Sequence, residues 1–243
     1  MNVCDSVEES VFQETALARR TKEDALATRN KLLDAAEHLF QAQGVSRTSL
    51  QDIARRAGAT RGAIYWHFKD KADLFNAMME RVTLPMEESF NPEPADAEGL
   101  NNSDANALHQ IRRATIKALQ QIATDAQTRR VLEVATQKVE YVEELQAVRL
   151  RHLAVRNGFL GRIEQSMNAA SRQTGLPLPL AASVAAQGLH ALIDGLIQNW
   201  LLDPQAFDLL EVGKGAMNVY LRGLGFANEA CPARPAGAAA ESA

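Results

Sequence analysis

RTSLQDIARRAGATRGAIYWHFKDKADL, residues 47–74, contains two short helix signatures with a glycine between them. In the first half, Thr48 stands three residues ahead of Gln51, the spacing of a capping box. Leu50, Ile53, Ala54 and Ala57 follow as an apolar stripe that stops at Gly58. In the second half, Thr60 is suited to cap a helix, yet Gly62 takes the second helical position and Tyr65, Trp66, His67 and Phe68 stand side by side. At about 100° per residue, Ile64 and Phe68 share a face that would meet Ile53, Leu39 and Phe40. Gly62 and Trp66 lie nearly opposite, with Tyr65 and His67 on the flanks. Four neighbouring rings cannot all enter one core, and a glycine on an exposed helix face costs about 1 kcal/mol relative to alanine. Both features make sense where another molecule must approach the backbone closely.

Working outward, NKLLDAAEHLFQAQG (30–44) has apolar residues at spacings of three and four and ends on Gly44. On the other side, Asp70 can cap a helix over about 71–84 through Leu74, Phe75, Met78, Met79 and Val82. Four helices in about sixty residues, the second and third joined by a tight glycine turn, make a helix-turn-helix layout. Clustered aromatics in a small helical domain are more often core than interface. Here the cap signals, the glycine turn and the local charge weigh against that plainer reading. From Arg19 to Arg81 there are twelve Lys and Arg against eight Asp and Glu, although the whole chain carries −4. A positive module sits on a negative body.

In a helix-turn-helix the second helix enters the major groove, its first residues against base edges. Arg61 then reaches guanine O6 and N7, a contact worth about 1–3 kcal/mol of discrimination. Tyr65 offers a hydroxyl and His67 a ring N–H to phosphates. Lys71 starts the next helix, where amide dipoles favour an anion, and Thr48 offers a hydroxyl and the amide beside it.

The motif RTSLQDIARRAGATRGAIYWHFKDKADL resembles the DNA-binding domain of the TetR family of bacterial transcriptional regulators. LHALIDGLIQNWLLDPQAFDL (189–209) and DAQTRRVLEVATQKVEYVEEL (125–145) resemble the AcrR-like branch, which represses multidrug efflux operons. Ala59 stands where that family commonly has valine. The resemblance implies a homodimer on an inverted-repeat operator of double-stranded DNA, released by a small hydrophobic or cationic ligand. It places DNA contacts on Thr48, Ser49, Gln51, Thr60, Arg61, Gly62, Tyr65, Trp66, His67 and Lys71, with base contacts mainly from Gln51, Arg61, Gly62 and Ala63.

The expected class is all-α: an N-terminal three-helix helix-turn-helix domain plus a larger helical ligand-binding and dimerisation domain. Residues 1–20 read as a flexible arm, 21–84 as the DNA-binding domain, 85–226 as the second domain and 227–243 as a disordered tail. Pro85 and NPEPADAEGLNNSDAN (91–106) mark a break. Helices follow at about 104–123, 127–152, 154–173, 180–202 and 207–223. Small residues Ala181, Ala182, Ala185, Ala186 and Gly188, with Leu209, Val212, Ala216, Val219 and Tyr220, suggest that the last two helices form a four-helix interface across a two-fold axis. Packing of those helices within one protomer is the plainer alternative.

Candidate ligand-lining residues are Met86, Leu132, Thr136, Gln137, Glu140, Tyr141, Met167 and Asp194. Asp194 is set among apolar neighbours and would be costly to bury alone, and the methionines offer an adaptable wall. A solvated face or a satisfied core position explains each of them equally well.

Apolar residues make up 46% and charged residues 23%, as in ordinary soluble domains. No apolar run approaches the roughly 20 residues of a membrane span. The opening MNVCDSVEESVFQE lacks a basic n-region and an apolar stretch, so a cytoplasmic location is expected. Cys4 and Cys231 lie near opposite ends, which argues against a structural disulfide. No nucleophile elbow, phosphate loop or metal-ligand spacing is present, so neither an enzyme nor a cofactor is expected. A rival of another class is an architectural, chromosome-organising DNA-binding protein with no small-molecule inducer.

Overall fold

The computed structural model describes residues 3–88, 105–140, 142–175 and 177–226, with side chains from residue 22 onward except over 84–107. Nine α-helices run through these residues: α1 (Val3–Gln43), α2 (Leu50–Arg56), α3 (Arg61–His67), α4 (Lys71–Glu88), α5 (Ala105–Thr124), α6 (Ala126–Gln137), α7 (Gln146–Thr174), α8 (Ala182–Leu202) and α9 (Leu209–Gly223). There is no strand among the described residues, and no helix there is long and apolar enough to cross a membrane.

The chain divides into two compact units. The first takes the chain through Pro85 and returns for Asp125–Val155; the second takes Met86–Thr124 and the chain from Arg156. In the first, Leu32, Leu33, Phe40, Ile53, Ile64, Phe68, Leu74, Phe75 and Met78 are buried together with Val131, Val134, Leu145 and Val148. Phe40 and Phe75 pack with ring centroids 6.0 Å apart. Ile64 and Phe68 meet Ile53 and Phe40 as the helical wheel requires, while Leu39 sits at the margin.

A charged knot ties α1, α4 and α6. Glu37, 2% exposed, lies 3.1 Å from Arg81, accepts from Gln127 at 2.8 Å, and has Arg130 at 3.8 Å. Burial outweighs these partners and holds its carboxyl above the ordinary value.

In the second unit, Ile111, Ile163, Met167, Ala185, Ala186, Leu189, Met217, Leu221 and Phe226 form the core. A Cβ at Gly213 would overlap Leu119, and one at Gly188 would overlap the Tyr220 hydroxyl. Both glycines let helices close on each other within the chain. Tyr220 then donates its hydroxyl proton to the Ala185 carbonyl at 2.9 Å. Ala185, Ala186 and Gly188 are therefore engaged by α8–α9 packing inside one protomer, as in the plainer alternative.

Three helix boundaries differ from the sequence reading. The stretch read as a flexible arm is helical from Val3, in keeping with its Ala, Glu, Gln and Leu content. α4 continues through Pro85 to Glu88. The helix expected over 127–152 ends at Gln137, and after a 3-10 turn at Glu143–Leu145 a single α7 runs across the expected break near 153. The cause is tertiary: Lys138 gives its carbonyl to the Val45 amide at 3.1 Å, and Leu145 drops into the core fully buried. The tail over 227–243 lies outside the described residues.

Candidate nucleic-acid interface

The N-cap of α2 is Ser49 rather than Thr48. Its hydroxyl accepts from the Asp52 amide at 3.1 Å and the Asp52 carboxylate takes the Ser49 amide, completing the box one residue later than expected. The Ser49 hydroxyl, then its amide, hold the Asp52 carboxyl below the ordinary range. Thr48 is 1% exposed. Its hydroxyl donates to the Gly44 carbonyl at 2.7 Å and accepts from Gln43 at 3.1 Å, and its amide bonds to the Val45 carbonyl. The expected phosphate contact from Thr48 is therefore withdrawn, since both its polar groups face inward and are occupied.

α2 ends in a Schellman turn. The Ala59 amide bonds to the Ala54 carbonyl, the Gly58 amide to the Arg55 carbonyl, and Gly58 takes φ +66°. A side chain at that φ is strained, which explains the glycine. The turn delivers Thr60 as the N-cap of α3, its hydroxyl accepting from the Ala63 amide at 3.1 Å.

Only Ile64 within α3, and Phe68 just after it, are buried. Arg61 and Gly62 are exposed, and so are Tyr65 at 48% and Trp66 at 73%. A Cβ at Gly62 would meet nothing closer than the Thr60 hydroxyl at 3.9 Å, and Gly62 has no positive φ. Among the described residues, nothing demands this glycine. The Arg61 guanidinium lies 5.8 Å from the Tyr65 ring centroid, within cation–π range, which draws it toward the exposed face. Trp66 meets His67 edge-on at 4.5 Å. Burial, then the charge of Arg29, push the His67 pKa below its ordinary value, so near neutral pH the ring is uncharged with one N–H to give. Ser49 and Gln51 are exposed on α2, and Ala63 is half-buried.

The start of α4 does not fit the expected phosphate site. Asp70 accepts the Asp73 amide at 2.8 Å, and Asp73 accepts the Lys69 amide at 2.9 Å. Asp70 thus takes one amide of the first turn, and two carboxylates place negative charge where an anion would sit. The Lys71 ammonium, its side chain 11% exposed, lies 3.3 Å from both the Glu144 carboxylate and the Ser46 carbonyl. Lys71 is committed within the protein.

The ligand candidates fall in both compact units. Leu132 is half-buried on α6. Thr136 and Gln137 are exposed on its last turn, with the Thr136 hydroxyl donating back to the Leu132 carbonyl at 2.8 Å. Glu140 is exposed beyond the helix end. These three polar residues are exposed; Thr136 and Gln137 lie off the α6 face that buries Thr128, Val131 and Val134. Met167 is fully buried in the second unit, and half-buried Asp194 accepts from Gln198 at 2.6 Å rather than lying unpartnered. Tyr141 and the side chain of Met86 lie outside the described residues.

Sequence reasoning passed over Arg47, Arg55 and Arg56, which with Leu39, Gln43 and Asp52 line a trough of about 380 Å³ between α1 and α2. The arginine doublet in the last turn of α2 is its one visible signal.

Two family models match the chain: bacterial regulatory proteins, tetR family, over residues 32–78, and MAATS-type transcriptional repressor, C-terminal region, over 106–226. The HTH-type transcriptional regulator AcrR of Shigella flexneri is 38% identical over 207 residues, covering 84% of this chain and 93% of that protein. Among solved structures, NalD, the secondary repressor of the MexAB-OprM multidrug efflux pump in Pseudomonas aeruginosa, is 37% identical with a TM-score of 0.72. The match covers 83% of this chain and 98% of that one. SmeT of Stenotrophomonas maltophilia, in complex with triclosan, is 28% identical with a TM-score of 0.69, covering 87% and 100%.

Proposed function

Because the chain belongs to the tetR family of bacterial regulatory proteins, we propose that it is a ligand-responsive transcriptional repressor of a multidrug efflux operon. It holds an inverted-repeat operator as a homodimer and leaves it when a small hydrophobic or cationic ligand binds. The observation that carries this reading is the exposed row of α3. Arg61, Gly62, Tyr65 and Trp66 stand open on a helix whose first turn is capped by a neutral hydroxyl, with only the Thr60 hydroxyl within van der Waals reach of a Cβ at the glycine. Arg61 reads guanine in the major groove, Gly62 and Ala63 admit the base edges, and Gln51 reads from α2. Ser49, Thr60, Tyr65, Trp66 and His67 hold the backbone. The reading domain is 21–84, buttressed by the core residues that Asp125–Val155 adds.

One reading helix fits one half-site, so a palindrome requires two copies. Val184, Val219 and Leu202, 60%, 70% and 72% exposed on α8 and α9, are the surface a second copy would cover. Release follows linkage. A ligand that binds better to the arrangement with misplaced reading helices lowers DNA affinity by the same coupling. Ligand specificity comes from the second unit, Met86–Thr124 with the chain from Arg156, rather than from all of 85–226, with Met167 and Asp194 as its lining candidates. The efflux assignment is supported by NalD, and the hydrophobic-ligand assignment by the triclosan complex of SmeT.

The test is fluorescence anisotropy with DNA flanking the chain's own gene, across a salt series, comparing wild type with Arg61→Ala. Tight binding to one fragment over scrambled DNA, erased by Arg61→Ala, supports the repressor. Equal binding to all fragments with no Arg61 effect favours the architectural alternative.

A further inference from the structure

The trough between the C-terminal end of α1 and α2 presents three guanidinium groups, those of Arg47, Arg55 and Arg56, over Leu39 and Gln43. Its one carboxylate, Asp52, is held by Ser49 and by Arg55, in contact with it. Among the described residues, no carboxylate pairs with Arg47 or Arg56. The Arg47 Nε–H donates to the Gln43 carbonyl at 2.7 Å, which fixes the stem and leaves the terminal nitrogens outward. All three arginines are exposed, so the site is an open trough rather than an enclosed cavity.

Guanidinium forks match the oxygens of a phosphate bidentately, which a cluster of lysines would not do. An open trough suits one unit of a long polyanion better than a small molecule that must be enclosed. The trough is also continuous with the reading surface. Arg47 is two residues before the exposed Ser49, and Arg55 lies one turn beyond the exposed Gln51, on the same face of α2.

We propose that Arg47, Arg55 and Arg56 form a clamp for a DNA backbone phosphate flanking the half-site, extending the footprint beyond α3. The clamp rests on the DNA-binding reading above. The arginines position the protein and carry no base information, so they add affinity alike on every sequence. The plainer role for Arg55 and Arg56, in the last turn of α2, is to complement the helix C-terminus. That role affects stability and leaves salt dependence alone.

The full-length chain is measured by fluorescence anisotropy on the preferred flanking fragment and on a duplex of arbitrary sequence, from about 50 to 200 mM salt. The variants are Arg47→Gln, Arg56→Gln and the charge-matched control Arg172→Gln, exposed in the last turn of α7. Each clamp variant is expected to flatten log K against log salt by about 0.9 for every phosphate released. Affinity falls several-fold by the same factor on both duplexes, with thermal midpoints unchanged and Arg172→Gln behaving as wild type. Unchanged slopes with lowered midpoints overturn the clamp in favour of helix-end charges. If inorganic tripolyphosphate raises the wild-type midpoint and the variants lose that shift while keeping the slope, the trough is a small-anion site and the clamp is wrong. If wild type binds neither duplex, the DNA-binding reading fails and the clamp with it; a clamp failing alone leaves wild-type binding intact.

Discussion

α3 and α4 begin ten residues apart in one continuous motif, yet their first turns are built oppositely. α3 is capped by a neutral hydroxyl, followed by an exposed arginine and a glycine with space around it. α4 is capped by two carboxylates, and its first lysine is held by Glu144 and the Ser46 carbonyl. Both helix starts carry the same partial positive charge from their free amides. What differs is whether the protein has already satisfied it with its own negative groups. α3 leaves its start for a partner, while α4 uses its start to hold the module together.

The largest expected effect comes from making α3 resemble α4. Thr60→Asp retains a side chain that caps as well as threonine, so the thermal midpoint should hold. The new carboxylate at the groove should lower affinity for the preferred fragment by tenfold to a hundredfold, or about 1.4–2.8 kcal/mol. Unaltered binding by anisotropy would mean the start of α3 does not face DNA.

Next in size is Gly62→Ala. The free protein has room for the methyl, so its stability should be unchanged or gain up to about 1 kcal/mol in chemical denaturation. DNA affinity should fall about tenfold. A loss of stability instead would mean that the glycine serves the fold.

A smaller effect tests α4 from the other side. Glu144→Gln releases the Lys71 ammonium from its ion pair, and affinity at low salt should rise two- to fivefold, an effect that fades as salt rises. No change would mean that Lys71 stays directed at Ser46 even without its carboxylate.

The smallest effect is the pH response of His67. Its pKa is lowered in the free protein by burial and then by Arg29. The stability it contributes is present above the ordinary histidine value of about 6.5 and is lost as pH falls through the lower folded value. A neighbouring phosphate favours the charged ring, so DNA binding takes up a proton in that window. Affinity should rise by less than about threefold between pH 7 and 6, one proton's worth of a modest shift. His67→Gln should flatten that rise.

Most of the helix-turn-helix is legible in the sequence because its determinants are local. Leu50 and Ile53 lie on one stripe of α2, Ile64 and Phe68 share one face of α3, and Gly58 marks a turn that only glycine takes without strain. The capping box is misread by one residue because Thr48 and Ser49 are both good caps. The choice falls to Gln43 and Gly44, which hold the Thr48 hydroxyl inside. The end of α6 is illegible for a different reason. KVEYVEEL contains neither glycine nor proline, and what halts the helix includes a hydrogen bond to Val45, more than ninety residues earlier. Of the candidate ligand residues in this stretch, only Glu140 is affected by that boundary, since Leu132, Thr136 and Gln137 stay on α6. The ion pair of Lys71 is hidden for a similar reason, since its partner, Glu144, lies some seventy residues later in the sequence.

The same stitching between distant segments has a consequence for biosynthesis. Val131, Val134, Leu145 and Val148 complete the core around α1 to α4, and α6 supplies partners for the buried Glu37. While the chain is being made, residues through Pro85 emerge without these groups. At about 5–20 residues per second the missing stretch follows only some 3–13 seconds later. During that interval the nascent module has an open apolar face and a carboxylate with only Arg81 of its three partners. The capacity to engage DNA therefore matures with the middle of the polypeptide and not with its beginning, and a fragment cut after α4 would retain the reading helix without the framework that holds it.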